Sequence, residues 1–437
     1  MLTPQQRSAL VDAMTGDSPS VRTIDVGYTY IGQFIAHDIT EPAHPRNNHH
    51  PTAALDLDSL YGTAVPAAID ARGRFEIGRG EGDIPDLLRD ASGQARIPDL
   101  RNDENVIVAQ LHLFWQRFHN FLLDQSLAKN FDEARELTIK TFLLVVVEDY
   151  LQLLLAPKVF EQYFRRGQRH WLNLPSSPVP LLFSKAAFRF GHSMVRDFYE
   201  LAGRVRDTAE LFRADRPLTA DFHVAWRQFF GWPDQATGVP DALAIDTLVT
   251  PTMVRIPFPP GQQTNIVEKN ILASETLQHT GMQLVEQFLM QNPELASVFD
   301  LAPQTQLSPD LKKLKGVTLA ELPLWPYILN EAAVEAGGER LGTFGSLICA
   351  EVLANSIEDA GLLSWPLQLA DALTSLGALG TRIREVAAVH DRPLPAENSP
   401  AQNNAAQNNP AQNNRGRLFC MRHLIELLEP TSDTPRS

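Results

Sequence analysis

Tyr28-Thr29-Tyr30-Ile31-Gly32-Gln33-Phe34-Ile35-Ala36-His37-Asp38 sets a histidine beside a carboxylate in an otherwise apolar, aromatic segment. Read as a helix, Gln33 and His37 stand four apart and share a face, while Asp38 points about 100° away. One stretch of backbone can then serve two sites, with an imidazole and an amide at one pocket and a hard carboxylate at another. Taken alone, a histidine next to an aspartate in a helix is most often a hydrogen-bonded core or surface pair. Its companions along the chain decide whether this one does more.

Outward from that segment helical periodicity dominates. Val106 to Asn130 (VIVAQLHLFWQRFHNFLLDQSLAKN) spaces apolar residues three and four apart. Asp132 is expected to cap a second long helix running through Leu155 and stopped before Pro157. Further helices are expected at 181–200, 265–292, 343–355 and 366–388. Strand-like alternation is scarce, and Pro and Gly cluster at 232–262, which reads as loop with short helices. The expected architecture is mainly α, with one catalytic domain over residues 1–395. Residues 396–416 (AENSPAQNNAAQNNPAQNNRG) carry AQNN repeatedly and have nothing to bury, so a disordered insertion is expected. Beyond it, within 417–437, Leu418 to Leu428 is amphipathic. A helix that short is unstable alone and is expected to dock back on the main body.

With 437 residues, 44% apolar and 21% charged, the chain can build a sizeable core. A net charge of −14 argues against nucleic acid, whose phosphates need a basic face. No apolar run reaches the roughly 18 residues of a membrane span, and TFLLVVV (141–147) is broken by Glu148 and Asp149. The opening MLTPQQRSALVDAM has neither a charged start nor an apolar h-region, so no signal peptide is expected and the cytoplasm is the default. Two cysteines, Cys349 and Cys420, fit a reducing compartment and leave no disulfide framework or Cys-based zinc site.

Three further patterns carry chemistry. In Pro51-Thr-Ala-Ala-Leu-Asp-Leu-Asp-Ser-Leu-Tyr-Gly62, Asp56 and Asp58 alternate with leucines, which puts two carboxylates on one side of an extended loop. With Asp38 they make three hard oxygen ligands, and Thr52 and the Ala54 carbonyl could complete the six to eight oxygens that calcium prefers. Magnesium, which demands tighter octahedral geometry, suits such a loop less well. The neighbouring His44, His49 and His50 read as exposed loop. Arg101, in Ile97-Pro-Asp-Leu-Arg-Asn-Asp-Glu104, lies just before the long 106–130 helix and could bring a cation to the His37 pocket. Finally, FSKAAFRFGHSMVRDFYE (183–200) places His192 among aromatics, with Gly191 leaving room for a flat ligand.

Together, GQFIAHD, DLRNDE and LHLFWQRFHN resemble, in order, the corresponding blocks of the animal-type haem peroxidases of the peroxidase–cyclooxygenase superfamily. The resemblance implies a helical domain with haem between a distal and a proximal helix. Gln33 and His37 would be the distal amide and acid/base and Arg101 the distal arginine. In that family an Asp just before the distal His and a Glu three after the distal Arg form ester bonds to haem. Glu104 matches the second position, but Ala36 occupies the first, so at most one link is expected. The acidic loop resembles the family's calcium segment, which ends in a pair like Tyr61-Gly62. That adds Thr52, Ala54 (backbone), Asp56 and Asp58 to Asp38, with Asp58 where a hydroxyl residue is often found.

Arg189-Phe-Gly-His192 matches the proximal Arg-x-x-Gly-His. It implies His192 as the axial iron ligand, Arg189 as a haem propionate partner and Asn270 as the hydrogen-bond partner of His192. The family's arginine three residues after that asparagine is Ala273 here. The late blocks 323–330 and 337–342 resemble bacterial members, so the likeness runs from about residue 20 to 390. The implied activity is a haem b peroxidase that reduces H2O2 and oxidises a small organic molecule or a halide through a ferryl intermediate. The superfamily also includes fatty-acid dioxygenases and cyclooxygenases. They use a tyrosyl radical typically three residues before the proximal histidine, where this chain has Arg189. A non-catalytic, calcium-stabilised scaffold is the remaining alternative.

Overall fold

The long helix Val106–Asp124 is buried over most of its length, and its apolar residues dictate its place. Ile107, Val108, Leu111, Trp115, Phe118 and Leu122, mostly three and four apart, are fully buried, as expected of a core-facing helix. Asn105 caps it, its side-chain oxygen accepting from Ile107 N at 2.8 Å. In this computed structural model, which describes residues 1–41, 50–62, 68–168, 179–231, 241–259, 261–390 and 419–429, the helix packs between Gly27–Ile39 and Phe131–Leu144. The fold is mainly α. Among the described residues the strands form three two-stranded antiparallel ribbons: Ser20–Asp25 with Asp241–Leu243, Gly78–Arg79 with Pro85–Asp86, and Phe198–Leu201 with Arg204–Asp207.

Several expected helices come out divided, each for a local reason. Phe131–Leu144 is capped by Asn130, whose side chain accepts from Glu133 N, rather than by Asp132. It then widens into a π-helical stretch, Val145–Leu151, before closing as Gln152–Leu154. Such widened turns re-aim side chains. Here Asp149 receives the Tyr28 hydroxyl at 2.7 Å, and the Tyr150 hydroxyl presses on Gly32, where an added Cβ would lie 2.4 Å from it.

The expected 181–200 helix is three elements: a short helix Leu181–Lys185, a 3₁₀ turn Ala187–His192 and the strand Phe198–Leu201. Ala186 at φ −139°, ψ −71° ends the helical path. In the strand Tyr199 and Leu201 point inward while Phe198 and Glu200 are exposed. The 265–292 span splits into Ile266–Glu275 and Gly281–Gln291, with Gln278 left-handed (φ 61°) and Thr280 forming a capping box with Gln283. Likewise 366–388 splits into Leu369–Ser375 and Ala378–His390 around Gly377 (φ 58°).

The last described helix, Met421–Leu428, lies against the body, with Met421, Leu424 and Ile425 fully buried. Met421 N donates to Asp149 Oδ2 at 2.8 Å, and Arg227 pairs with Glu426. The AQNN-bearing segment 396–416 lies outside the described residues. No helix among the described residues is long and apolar enough to cross a membrane.

Candidate active site and acidic loop

Gly27–Ile39 presents two different faces, as its spacing required. Gln33, Ala36 and His37 line a cavity of about 380 Å³, whereas Asp38 is fully buried on the other side. His37 Nδ1 lies 2.8 Å from Asn102 Oδ1, an acceptor, so the ring donates there. Burial, then the Arg101 charge, lowers His37 to about 4. Its imidazole is therefore neutral at pH 7.

Arg101 follows Asp99 into the 3₁₀ turn Leu100–Asp103, and its guanidinium is gripped on several sides. Nε donates to Asp99 Oδ1 at 3.1 Å, and Nη2 donates to Asp99 Oδ2 and to the His37 carbonyl, each at 2.6 Å. Nη1 lies 3.4 Å from Thr40 Oγ1. Burial pushes the Asp99 carboxyl up, but its bonds to Arg101 outweigh that and leave it below the ordinary range. Arg101 and Glu104 both reach the cavity lining.

The other wall of chemistry comes from His192, which ends its 3₁₀ turn and lines the same cavity with Arg189 and Asn270. Asn270 sits in Ile266–Glu275, and its Nδ2 donates to His192 Nδ1 at 2.7 Å. Arg189 Nη1 donates to Asn270 Oδ1 at 2.9 Å, and Arg189 Nε donates to the Ser184 carbonyl. Trp325 Nε1 donates to the Arg189 carbonyl at 3.1 Å. Burial, then Arg189 and Lys269, holds His192 down at about 3. Lys269 also lines the cavity and escaped the sequence reading, which weighed only the position three after Asn270.

This donor set fits a haem. Two neutral imidazoles face one space, and a Cβ built on Gly191 would meet nothing within 4 Å, so the backbone beside His192 borders open room. Turning the Asn270 amide over, at the cost of its Arg189 bond, would offer His192 Nδ1 the acceptor that a metal-bound neutral imidazole needs.

Asp38, Asp56 and Asp58 bring carboxylate oxygens within 4.8 Å of one another. Leu57 in the left-handed region (φ 58°) turns the chain so that Asp58 opens the short helix Asp58–Tyr61 rather than continuing an extended run. Backbone N–H groups meet the carboxylates, Leu57 and Ser59 on Asp38, Thr52 on Asp58 at 2.7 Å and Asp58 on Asp56. Thr52 Oγ1 lies 3.5 Å from the Ala54 carbonyl. Burial, then the charges of Asp58 and Asp56, raises Asp38 well above the carboxylate range, and Asp56 is raised to about 6 for the same reasons, burial first. Crowded carboxylates on a turn with oxygen donors beside them are chemistry for a hard cation. Tyr61 braces the loop on the central helix, its hydroxyl 3.0 Å from His119 Nδ1. His50 is exposed, 3.6 Å from Glu41, and His44 and His49 lie outside the described residues.

Among tyrosines, Tyr28, Tyr30 and Tyr150 line the cavity. Tyr199, expected on the His192 helix, lies on a strand and packs its ring 5.6 Å from Tyr30. Asn102 and His112 were missed as site-supporting residues. Their bonds join positions 65 and 10 apart, which leave no local pattern to read.

The family model described as animal haem peroxidase matches residues 46–229. Mouse (Mus musculus) myeloperoxidase is 29% identical over 159 residues, 33% of this chain and 21% of its own length, so the match spans about a fifth of that relative. In fold, the chain is similar to peroxidase A from Dictyostelium discoideum, with TM-score 0.57 and 14% identity over 87% of this chain and 90% of that one. It is also similar to the fatty acid alpha-dioxygenase of Arabidopsis thaliana, with TM-score 0.54 and 12% identity over 99% and 79%.

Proposed function

We propose, from the match of residues 46–229 to the animal haem peroxidase family model, that this chain is a member of that family and a peroxidase reducing H2O2 at the expense of a small organic molecule or a halide. Membership would make it a haem-binding oxidoreductase. The observation that carries the finer reading is that His37 and His192, 155 positions apart in sequence, line one cavity. Haem bound there supplies the redox chemistry, giving two electrons to the O–O bond and regaining them from the substrate.

The chain's own residues divide the remaining work. His192 would hold the iron and Asn270 would orient its ring. Arg189, with Lys269 beside it, would meet the haem carboxylates. Glu104 can form one ester, and the Ala36 methyl cannot form a second. His37, neutral and with Nδ1 engaged by Asn102, offers Nε2 to take a proton from one peroxide oxygen and return it to the other. Gln33, on the same face, can orient the peroxide. Arg101, locked by Asp99, presents a fixed positive field where negative charge develops, so no reorganisation is needed at that moment. Calcium held by Asp38, Asp56, Asp58, Thr52 and the Ala54 carbonyl would clamp the helix that carries His37.

The test is a visible spectrum of wild type and His192→Ala, expressed with haem supplied, before and after H2O2. A high-spin ferric Soret band that changes with peroxide in wild type, with impaired haem incorporation in the variant, is the expected result. A colourless wild type would favour the scaffold reading. Oxygenation of linoleate or arachidonate without added peroxide would favour a dioxygenase, against which Arg189 stands three before His192.

A further inference from the structure

Asn102 is fully buried and lies outside the cavity lining, yet its amide touches two imidazoles. Oδ1 is 2.8 Å from His37 Nδ1, and Nδ2 is 3.1 Å from His112 Nδ1. An amide has one accepting oxygen and one donating nitrogen. Whichever way it faces, one ring must donate from Nδ1 and the other must accept there. The two histidines are therefore forced into opposite tautomers. His112 is itself fully buried, and among the described residues its Nε2 finds no hydrogen-bond partner, leaving Asn102 as the polar contact on its ring. Burial also keeps it neutral.

We infer that Asn102 is a positioning residue that ties the tautomer of His37 to that of His112, holding the His37 proton on Nδ1 and leaving the Nε2 lone pair for the cavity. With the amide reversed, His37 would carry its proton on Nε2 and its lone pair would be spent on Asn102. A ring in that state cannot accept a proton from a ligand in the cavity without first exchanging its own. His112, which never reaches the cavity, thereby controls which nitrogen of His37 is basic. Asn102 and His112 are fully buried and His37 nearly so, which makes the shared amide the hydrogen-bond partner of both Nδ1 atoms. The inference rests on the reading of His37 as the proton acceptor.

The test uses the full-length chain with ¹⁵N-labelled histidine, without haem, together with peroxide kinetics on the haem-loaded protein. Nitrogen shifts should show His37 protonated on Nδ1 and His112 on Nε2. A proton on His37 Nε2 in the wild type overturns the proposal. Asn102→Leu should slow the reaction with H2O2 about 10- to 100-fold at unchanged haem content, with loss of the fixed His37 tautomer. Asn102→Asp, which keeps an acceptor for His37 Nδ1–H, should restore most of the rate. An Asn102→Leu protein as fast as wild type would refute the idea. If that variant fails to fold, His112→Phe serves instead. It frees the amide to turn, and an unmixed His37 tautomer together with a wild-type rate would count against the coupling. His37→Ala separates the two levels: an unchanged peroxide rate there would remove the catalytic reading itself, while the tautomer assignment stands or falls on the nitrogen shifts.

Discussion

Two sets of neighbours act on the His37 ring in opposite senses. Burial, then Arg101, lowers it, while Asp99 and the Asn102 bond raise it, and the balance is about 4. A proton acceptor works in its deprotonated form, so the reaction with peroxide should be independent of pH well above that value and fall as pH drops through about 4. Stopped-flow rates between pH 3 and pH 7, on about that range of a stable holoprotein, check this. A midpoint near 6.5, the ordinary histidine value, would mean that the ring is solvated. Glu104 supports a second prediction at this scale. With Ala36 at the other ester position, mass spectrometry of acid-denatured holoprotein should find no chain with two haem links and none at all in Glu104→Gln. Any doubly linked species would require an attachment point other than these. That His37, Arg101, His192, Arg189 and Asn270 would line one cavity was legible, because they fall in ordered blocks. Asp99, Asn102, His112 and Lys269 were not, since their roles come from hydrogen bonds and charges set by the fold.

The helix Gly27–Ile39 joins two sites through consecutive residues, His37 toward the cavity and Asp38 toward the acidic loop. That much followed from spacing alone. The sequence did not reveal the left-handed Leu57, because that position lacks the glycine that advertises such geometry, nor the break at Ala186, because alanine is the best of helix formers. The coupling predicts how calcium acts. Asp38 and Asp56 are raised by burial and by mutual repulsion, so without a cation their charged forms weaken the fold at pH 7. The native state binds more protons than the unfolded one, and that penalty is relieved as pH falls through about 6. Calcium should therefore stabilise most at neutral pH, by about 2.7 kcal/mol at a hundredfold excess over its Kd, and progressively less below about pH 6. Thermal unfolding with calcium and with chelator at both pH values measures this. Asp56→Asn should abolish the difference. An equal calcium increment at both pH values would show that these carboxylates are not the ligands.

Across the whole molecule, the site is assembled from segments that begin near residue 27 and end near residue 270, and the chain returns once more to support it. Mainly helical architecture could be read from periodicity, since the central helix repeats apolar residues three and four apart along its length. How the final helix engages could not, because its partners are polar groups on other elements. Asp149, carried by the π-helical stretch, accepts the Tyr28 hydroxyl on Oδ1 and the Met421 N–H on Oδ2. Arg422 adds a contact to Asp25 at 3.3 Å. Tyr28 lines the cavity, so the Asp149 carboxylate links the last helix to a cavity-lining side chain. Leu424 and Ile425 are fully buried, and Leu424→Ala should cost about 2–5 kcal/mol of folding stability. If Asp149 transmits the docking, that variant should also lose haem faster to excess apomyoglobin, at temperatures well below its unfolding transition. Asp149→Asn, which keeps one acceptor but loses the charge-assisted pair of bonds, should loosen haem with a smaller loss of stability. Equal haem release in wild type and both variants, alongside the lowered melting temperature, would confine the last helix to stability and sever it from the cavity.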